Sequence, residues 1–212
     1  MDKHINFFEL EKACAQSGCP LCTLVKERSE RWLDDMLFEH VSDRVFRKNH
    51  RLAGGFCAFH SRNLELFRDG LAIAILGRDI LEDRIEAFKK CKMLKQKSQC
   101  PVCAEQHRIE QEYLSFLIEA EPGSEHAEEM QKIFLDSEGL CTPHYAQLLE
   151  KSKHIPQWIV EFHSQKFDML MKRVNDFIEF SAYGRQAEFE ALSERDKIVW
   201  KELASNLRGS LT

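Results

Sequence analysis

Two short cysteine signatures occur in the same order twice along the chain. Cys19-Pro20-Leu21-Cys22 is followed by Gly55-Phe56-Cys57-Ala58-Phe59-His60, and Cys100-Pro101-Val102-Cys103 is followed by Gly139-Leu140-Cys141-Thr142-Pro143-His144. Each copy supplies three cysteines and one histidine, a donor set that suits the tetrahedral preference of zinc. In every pair the two ligands are three residues apart, so one helical turn presents both on the same face. Pro20 fits the first helical position, where its missing amide hydrogen is not needed, and this places Cys19 at the cap. Free backbone amides and the positive end of the dipole at a helix start favour thiolate over thiol. A lone CxxC is a weak signal; two CPxC motifs, each followed by Gly-[Phe/Leu]-Cys-x-x-His, are hard to explain without coordination.

Between the two pairs lie 34 residues in the first copy and 37 in the second. That gap is intelligible if two helices form a hairpin whose ends the metal ties together. Pairing within each copy closes the shorter loops and is the arrangement expected: Cys19, Cys22, Cys57 and His60 at one ion, and Cys100, Cys103, Cys141 and His144 at the other. Two alternatives stay open, an exchange of halves between the copies and a binuclear centre shared by all eight ligands. Four protein ligands leave no open position, which points to two structural zinc sites. The same residues could instead carry an iron-sulfur cluster for electron transfer or redox sensing, or act as a zinc-linked thiol switch. The thioredoxin-like reading of CPxC lacks the βαβ pattern it requires.

The duplication extends beyond the ligands. Laid over one another without gaps, the opening helices match Leu21 with Val102, Trp32 with Tyr113, Leu33 with Leu114, Met36 with Leu117 and Leu37 with Ile118. A shorter helix is expected over Asp43 to Leu52, then a bend at Gly54-Gly55, and then a long helix from Leu71 to about Lys97. The stripe Ile73, Leu76, Ile80, Ile85, Phe88, Cys91 puts Cys91 on its buried face. In the second copy Glu121-Pro122-Gly123 breaks the chain, and Ser124 can cap a helix to about Leu135. The long helix from Ile155 onward carries Ile159, Phe162, His163, Phe167 and Leu170 on one face. His163 reads there as a hydrogen-bonded core histidine, and Cys14 as a small core residue held in reserve as a ligand. Ser193 to Asp196 resembles a helix cap ahead of a stripe of Val199, Trp200, Leu203 and Leu207.

The expected fold is all-α: a duplicated helical bundle, each repeat clipped by a Cys3His metal site, with a C-terminal helical extension. Its segments are an N-terminal helix in 1–18, repeats in 19–97 and 100–182, and a tail in 183–212, together forming one compact domain. No period-two alternation is sustained enough for a sheet.

With 43% hydrophobic and 31% charged residues, and no apolar run approaching the roughly 18 residues of a membrane span, the composition is that of a soluble protein. The opening residues Met1 to Asn6 lack the basic start and apolar core of a secretory signal, so a cytoplasmic location is expected. In that compartment eight cysteines, six of them in the motifs, read as metal ligands or redox groups rather than a disulfide framework. The formal net charge of -5 argues against general affinity for nucleic acid. Lys89, Lys90, Lys92, Lys95 and Lys97 form the densest basic patch and read as a solvated helix end. No P-loop, GxSxG, HExxH or dinucleotide pattern is present, so no enzymatic activity is indicated. The expectation is a binding or adaptor module with a protein partner.

These motifs resemble those of an uncharacterised bacterial family of cysteine-rich helical proteins, a domain of unknown function. The resemblance rests on CPLC at Cys19, GFCxxH ending at His60, CPxC at Cys100 and GLCxPH ending at His144, followed by Tyr183 with Arg185 and the late Trp200. It covers nearly the whole chain, implies the metal-site reading and supplies no substrate. Tyr183, Arg185 and Trp200 are candidates for a functional surface, with packing of Trp200 and a carboxylate partner for Arg185 as the plainer readings.

Overall fold

The computed structural model describes residues 5–67, 69–119 and 125–209. The Glu121-Pro122-Gly123 break, the Ser124 cap and the residues before Ile5 lie outside them. Among the described residues the chain is all helical: α1 (Ile5–Cys14), α2 (Pro20–Asp35), α3 (Arg44–Leu52), α4 (Ala58–Asn63), α5 (Gly70–Lys89), α6 (Pro101–Ile118), α7 (Glu125–Leu135), α8 (Thr142–Lys151), α9 (Gln157–Phe180), α10 (Gln186–Ala191), α11 (Glu194–Lys197) and α12 (Val199–Arg208). A π-turn over Met36–His40 ends α2, and a 3₁₀ turn over Leu64–Leu66 extends α4. No helix among the described residues is long and apolar enough to cross a membrane.

The contacts divide the chain into two compact units, one of Met1–Val25 with Glu110–Thr212 and the other of Lys26–Ile109. In the first unit α1 packs on α7, while α12 packs on α8 and α9. Its centre holds Leu10, Tyr113, Leu114, Phe134, Leu148 and Ile159, all buried. Phe134 meets Trp158 and Phe162 edge-on, with both pairs of ring centroids 5.8 Å apart. Such pairs add about 1 kcal/mol each to the area they bury.

The core of the second unit gathers Leu33, Met36, Leu37, Val41, Leu64, Leu76 and Val102, with Trp32, Phe46 and Phe56 half-buried against it. Asp43 caps α3 by accepting the Val45 N–H at 2.7 Å, and α3 packs on α5. Two arginines of α3 reach α5: Arg47 holds Asp79 through both Nε and Nη2, and Arg51 holds Asp83 the same way.

Three sequence expectations are corrected here. The long helix α5 stops at Lys89 rather than near Lys97, and Cys91 is exposed rather than buried. Cys91 adopts φ 51°, while the N–H groups of Cys91 and Lys92 bond back to the carbonyls of Phe88 and Ala87. This is the Schellman arrangement that usually takes glycine at the left-handed position. Beyond Ile80 the apolar stripe faces solvent, with Ile85 and Phe88 exposed. Last, Trp200 is exposed beside the fully buried Val199, with Lys201 Nζ 5.3 Å from its ring, so it does not pack the last helix. Arg185 does take carboxylate partners, Glu179 and Glu188.

Candidate metal centres

The four ligand pairs sit at four helix starts. Cys57 and Cys141 are the N-caps of α4 and α8, with extended backbone (ψ 167° and 163°) and no side-chain cap bond. Cys19 and Cys100 precede Pro20 and Pro101, and their carbonyls accept the first helical N–H bonds, from Thr23 and Ala104. In every case the second ligand lies at the third helical position, one turn along the same face. At Cys57 burial opposes the charged form, yet the backbone N–H groups of His60 and Phe59 help lower the thiol pKa and so favour the thiolate that a metal takes.

The structure groups the pairs as Cys19, Cys22, Cys141 and His144 in one cluster, and Cys57, His60, Cys100 and Cys103 in the other. Pairing within a copy is therefore corrected: each cluster takes the CPxC of one copy and the Gly-x-Cys-x-x-His of the other. Each compact unit contains one complete cluster. Loop entropy grows only with the logarithm of length, so the longer closure costs little. The 119-residue span from Cys22 to Cys141 costs only about 1 kcal/mol more than closure inside one copy. In the second cluster His60 and Cys100 are 40 residues apart, so that loop carries almost no extra cost. Packing of a few side chains outweighs the difference.

Donor spacing tests whether a single ion fits. Around a tetrahedral zinc with sulfur at about 2.3 Å and nitrogen at about 2.0 Å, neighbouring sulfurs lie roughly 3.8 Å apart and sulfur and nitrogen roughly 3.5 Å apart. In the first cluster Cys22 Sγ and Cys141 Sγ are 3.7 Å apart, and His144 Nδ1 is 3.4, 3.5 and 3.3 Å from the sulfurs of Cys19, Cys22 and Cys141. In the second, Cys57 Sγ and Cys103 Sγ are 3.8 Å apart, and His60 Nδ1 is 3.2, 3.6 and 3.4 Å from the sulfurs of Cys57, Cys100 and Cys103. Both sets fit one tetrahedral ion bound through Nδ1.

The electrostatics agree. Burial and the neighbouring thiols push Cys19 well above the usual thiol range, while hydrogen bonds from Cys141 and Cys19 hold Cys22 far below it. Burial opposes the charged form of His144, yet hydrogen bonds to Cys141, Cys22 and Glu110 push it up to about 11. Burial, reinforced by Cys100 and Cys57, pushes Cys103 up to about 12. Three thiols this close cannot all ionise unaided; a divalent cation resolves the conflict.

Several residues around the clusters lie in no motif, and of these the sequence carried no sign of Glu110, Gly209 or His50. Glu110 Oε1 is 3.3 Å from His144 Nε2, the carboxylate-imidazole contact that orients a metal ligand. Gly209, at φ 74°, lies against the first cluster, where a Cβ would sit 3.6 Å from Cys141 Sγ and 3.7 Å from Cys22 Sγ. His163 is the hydrogen-bonded core histidine expected: its Nε2 accepts the Leu140 N–H at 2.9 Å, and Nδ1 donates to the Ile159 carbonyl at 2.8 Å. It thus pins the residue before Cys141. In the second unit the buried His50 stacks against Phe46 and lies 4.6 Å from Phe56, the residue before Cys57. Burial lowers both histidines to about 4, so both are neutral near pH 7.

The clusters differ in exposure. All four ligands of the first are buried, whereas Cys57 and Cys103 of the second are partly exposed. Among the described residues no carboxylate meets the buried His60 Nε2 as Glu110 meets His144; the Gln106 side chain is the polar neighbour that acts on His60. Cys14 joins neither cluster.

Comparison with known proteins adds lineage but no activity. The chain is 26% identical over 178 residues to the "Uncharacterized 23.9 kDa protein in xynA 3'region" of Caldicellulosiruptor sp. (strain Rt8B.4), covering 79% of this chain and 84% of that one. No solved structure matches. Residues 91–206 match a family of unknown function, DUF6062, a span that includes Cys100, Cys103, Cys141 and His144 and so half of each cluster. The chain is a member of the DUF6062 family.

Proposed function

We propose that each cluster holds one zinc ion, and that the protein is a metal-clipped helical module whose role is to bind a protein partner in the cytoplasm. The observation that carries the zinc assignment is the donor spacing: eight donor pairs lie 3.2 to 3.8 Å apart, and all four donor atoms of each set lie within 4.8 Å of one another. It supports a single ion at each cluster over an iron-sulfur cluster, whose several metal atoms must separate the cysteine sulfurs further. Four protein donors leave no position for substrate, which supports a structural role rather than a catalytic one. The zinc chemistry supplied is a fixed charge and four bonds; the chain's own residues cap, orient and bury those bonds.

Replacement of the native metal by cobalt tests this reading. Two closed sulfur-rich tetrahedral sites give intense visible bands that azide and imidazole leave unchanged. Bands that shift on adding either ligand would show an open coordination position and overturn the structural role. Iron with labile sulfide in protein purified without oxygen would overturn the zinc assignment in favour of electron transfer or redox sensing.

A further inference from the structure

We propose that a cleft of the second unit, between α3 and residues 94–97, binds a small phosphate-bearing anion. The cleft has a volume of about 530 Å³, within the range of small-molecule sites. Six cations line it: Arg44, Arg47, Lys48, Arg51, Lys95 and Lys97. The first four recur at helical spacing along one face of α3. The last two arrive on the non-helical segment that follows the early end of α5. The Lys97 N–H donates to the Leu52 carbonyl at 2.8 Å, and Gln96 packs so closely on Gly54 that a Cβ there would lie 3.0 Å from its Cγ. Lys95 and Lys97 are exposed, but they line the cleft from beyond the helix end rather than forming that end.

Two carboxylates, Asp79 and Asp83, also line the cleft, but both are engaged. Asp79 is only 2% exposed and takes Nε and Nη2 of Arg47 at 2.7 and 2.6 Å. Asp83 takes the same two groups of Arg51. These forks fix the planes of both guanidinium groups and leave the Arg47 Nη1 donors unused among the described residues. Arg44, Lys48, Lys95 and Lys97 have no carboxylate partner among those residues. In a chain of net charge -5, four unpaired cations around two oriented guanidinium forks are a local excess of positive charge. That combination suits phosphate oxygens, which take forked arginine contacts and lysine point charges together. No aromatic side chain is among the lining residues, so the stacking surface of a single-strand binding groove is missing. A small ligand recognised by its charge fits the cleft better than a nucleic acid does.

Both walls lead directly into the second cluster. The bend at Gly54-Gly55 carries α3 to Cys57, and Lys97 lies three residues before Cys100. A metal at that cluster thereby holds the two sides of the cleft in register.

The test is calorimetric titration of the zinc-loaded full chain with fructose 1,6-bisphosphate at about 0.05 M ionic strength, where screening is weak. A single-stranded oligonucleotide and vesicles containing phosphatidylserine are titrated in parallel. The expected result is saturable one-to-one binding of the bisphosphate. Arg44→Glu with Lys48→Glu, and Lys95→Glu with Lys97→Glu, should each weaken it by about tenfold or more, with zinc content and melting temperature unchanged. Lys89→Glu with Lys90→Glu makes the same charge change outside the cleft and should leave affinity within about twofold. No binding by the native chain, an equal loss in that control pair, or saturation by oligonucleotide or vesicles without the bisphosphate would overturn the proposal.

Discussion

Gly139 is held at φ 75°, and a Cβ there would sit 2.9 Å from Phe162 Cε1 and 3.3 Å from His163 Nε2. Gly139→Ala therefore combines left-handed strain with a clash inside the core and is expected to cost about 2 to 4 kcal/mol in chemical denaturation. Gly18, at φ 92° with nothing within 4 Å of a built Cβ, isolates the strain; Gly18→Ala should cost only about 1 kcal/mol. Cys91 offers the opposite case, a side chain at the left-handed position of a helix end, so Cys91→Gly should stabilise by roughly 1 kcal/mol. His163 carries a pH dependence. Its folded value of about 4 lies below the unfolded value near 6.5, so the stabilisation is complete above pH 6.5. It is lost as pH falls toward 4, because the unfolded chain takes up the proton first. Acid release of metal acts in the same direction, and comparison with His163→Asn removes that shared part. Between pH of about 7.5 and 5.5 the native chain should lose about 1 kcal/mol more stability than the variant; equal losses would show that His163 is not held neutral.

At the scale of elements, the helix starts were legible because Cys-Pro and Gly-x-Cys-x-x-His each specify a cap and a first turn. The opening stripe was legible too: Leu33 and Met36 and their counterparts Leu114 and Leu117 are all buried, as are Leu37 and Tyr113, whose counterparts Ile118 and Trp32 are half-buried. The end of α5 was not. The sequence Phe88 to Lys97 keeps enough helical period to read as a helix, and the local bonds that stop it at Lys89 need a non-glycine residue at positive φ. Partner choice among the four helix starts was also illegible, since each CPxC can pair chemically with either histidine pair. Distant chain contacts decide it, at little entropic cost. The two centres that result should differ in reactivity. With Cys57 and Cys103 partly exposed and no carboxylate on His60 among the described residues, the second should release zinc to dilute peroxide first, with oxidation among the ligand cysteines confined to Cys57, Cys100 and Cys103. Earlier oxidation of Cys19, Cys22 or Cys141, read by mass spectrometry of alkylated peptides, would contradict this.

On the scale of the whole molecule, the sequence duplication and the compact units follow different cuts. Each unit encloses one complete cluster, yet each cluster draws one ligand pair from each sequence copy. A metal held at either cluster would tie together segments far apart in the chain, and on the proposed zinc reading a binding energy of about 10 to 16 kcal/mol per ion becomes folding energy. The measurement that tests this most directly is the zinc content of the native chain and of two double variants, purified without oxygen. Two zinc ions are expected per native chain, one in Cys22→Ser with Cys141→Ser, and none in Cys22→Ser with Cys57→Ser, because only the second pair disables both centres. One ion in the Cys22, Cys57 variant and none in the Cys22, Cys141 variant would instead place each metal within a single copy and contradict the account.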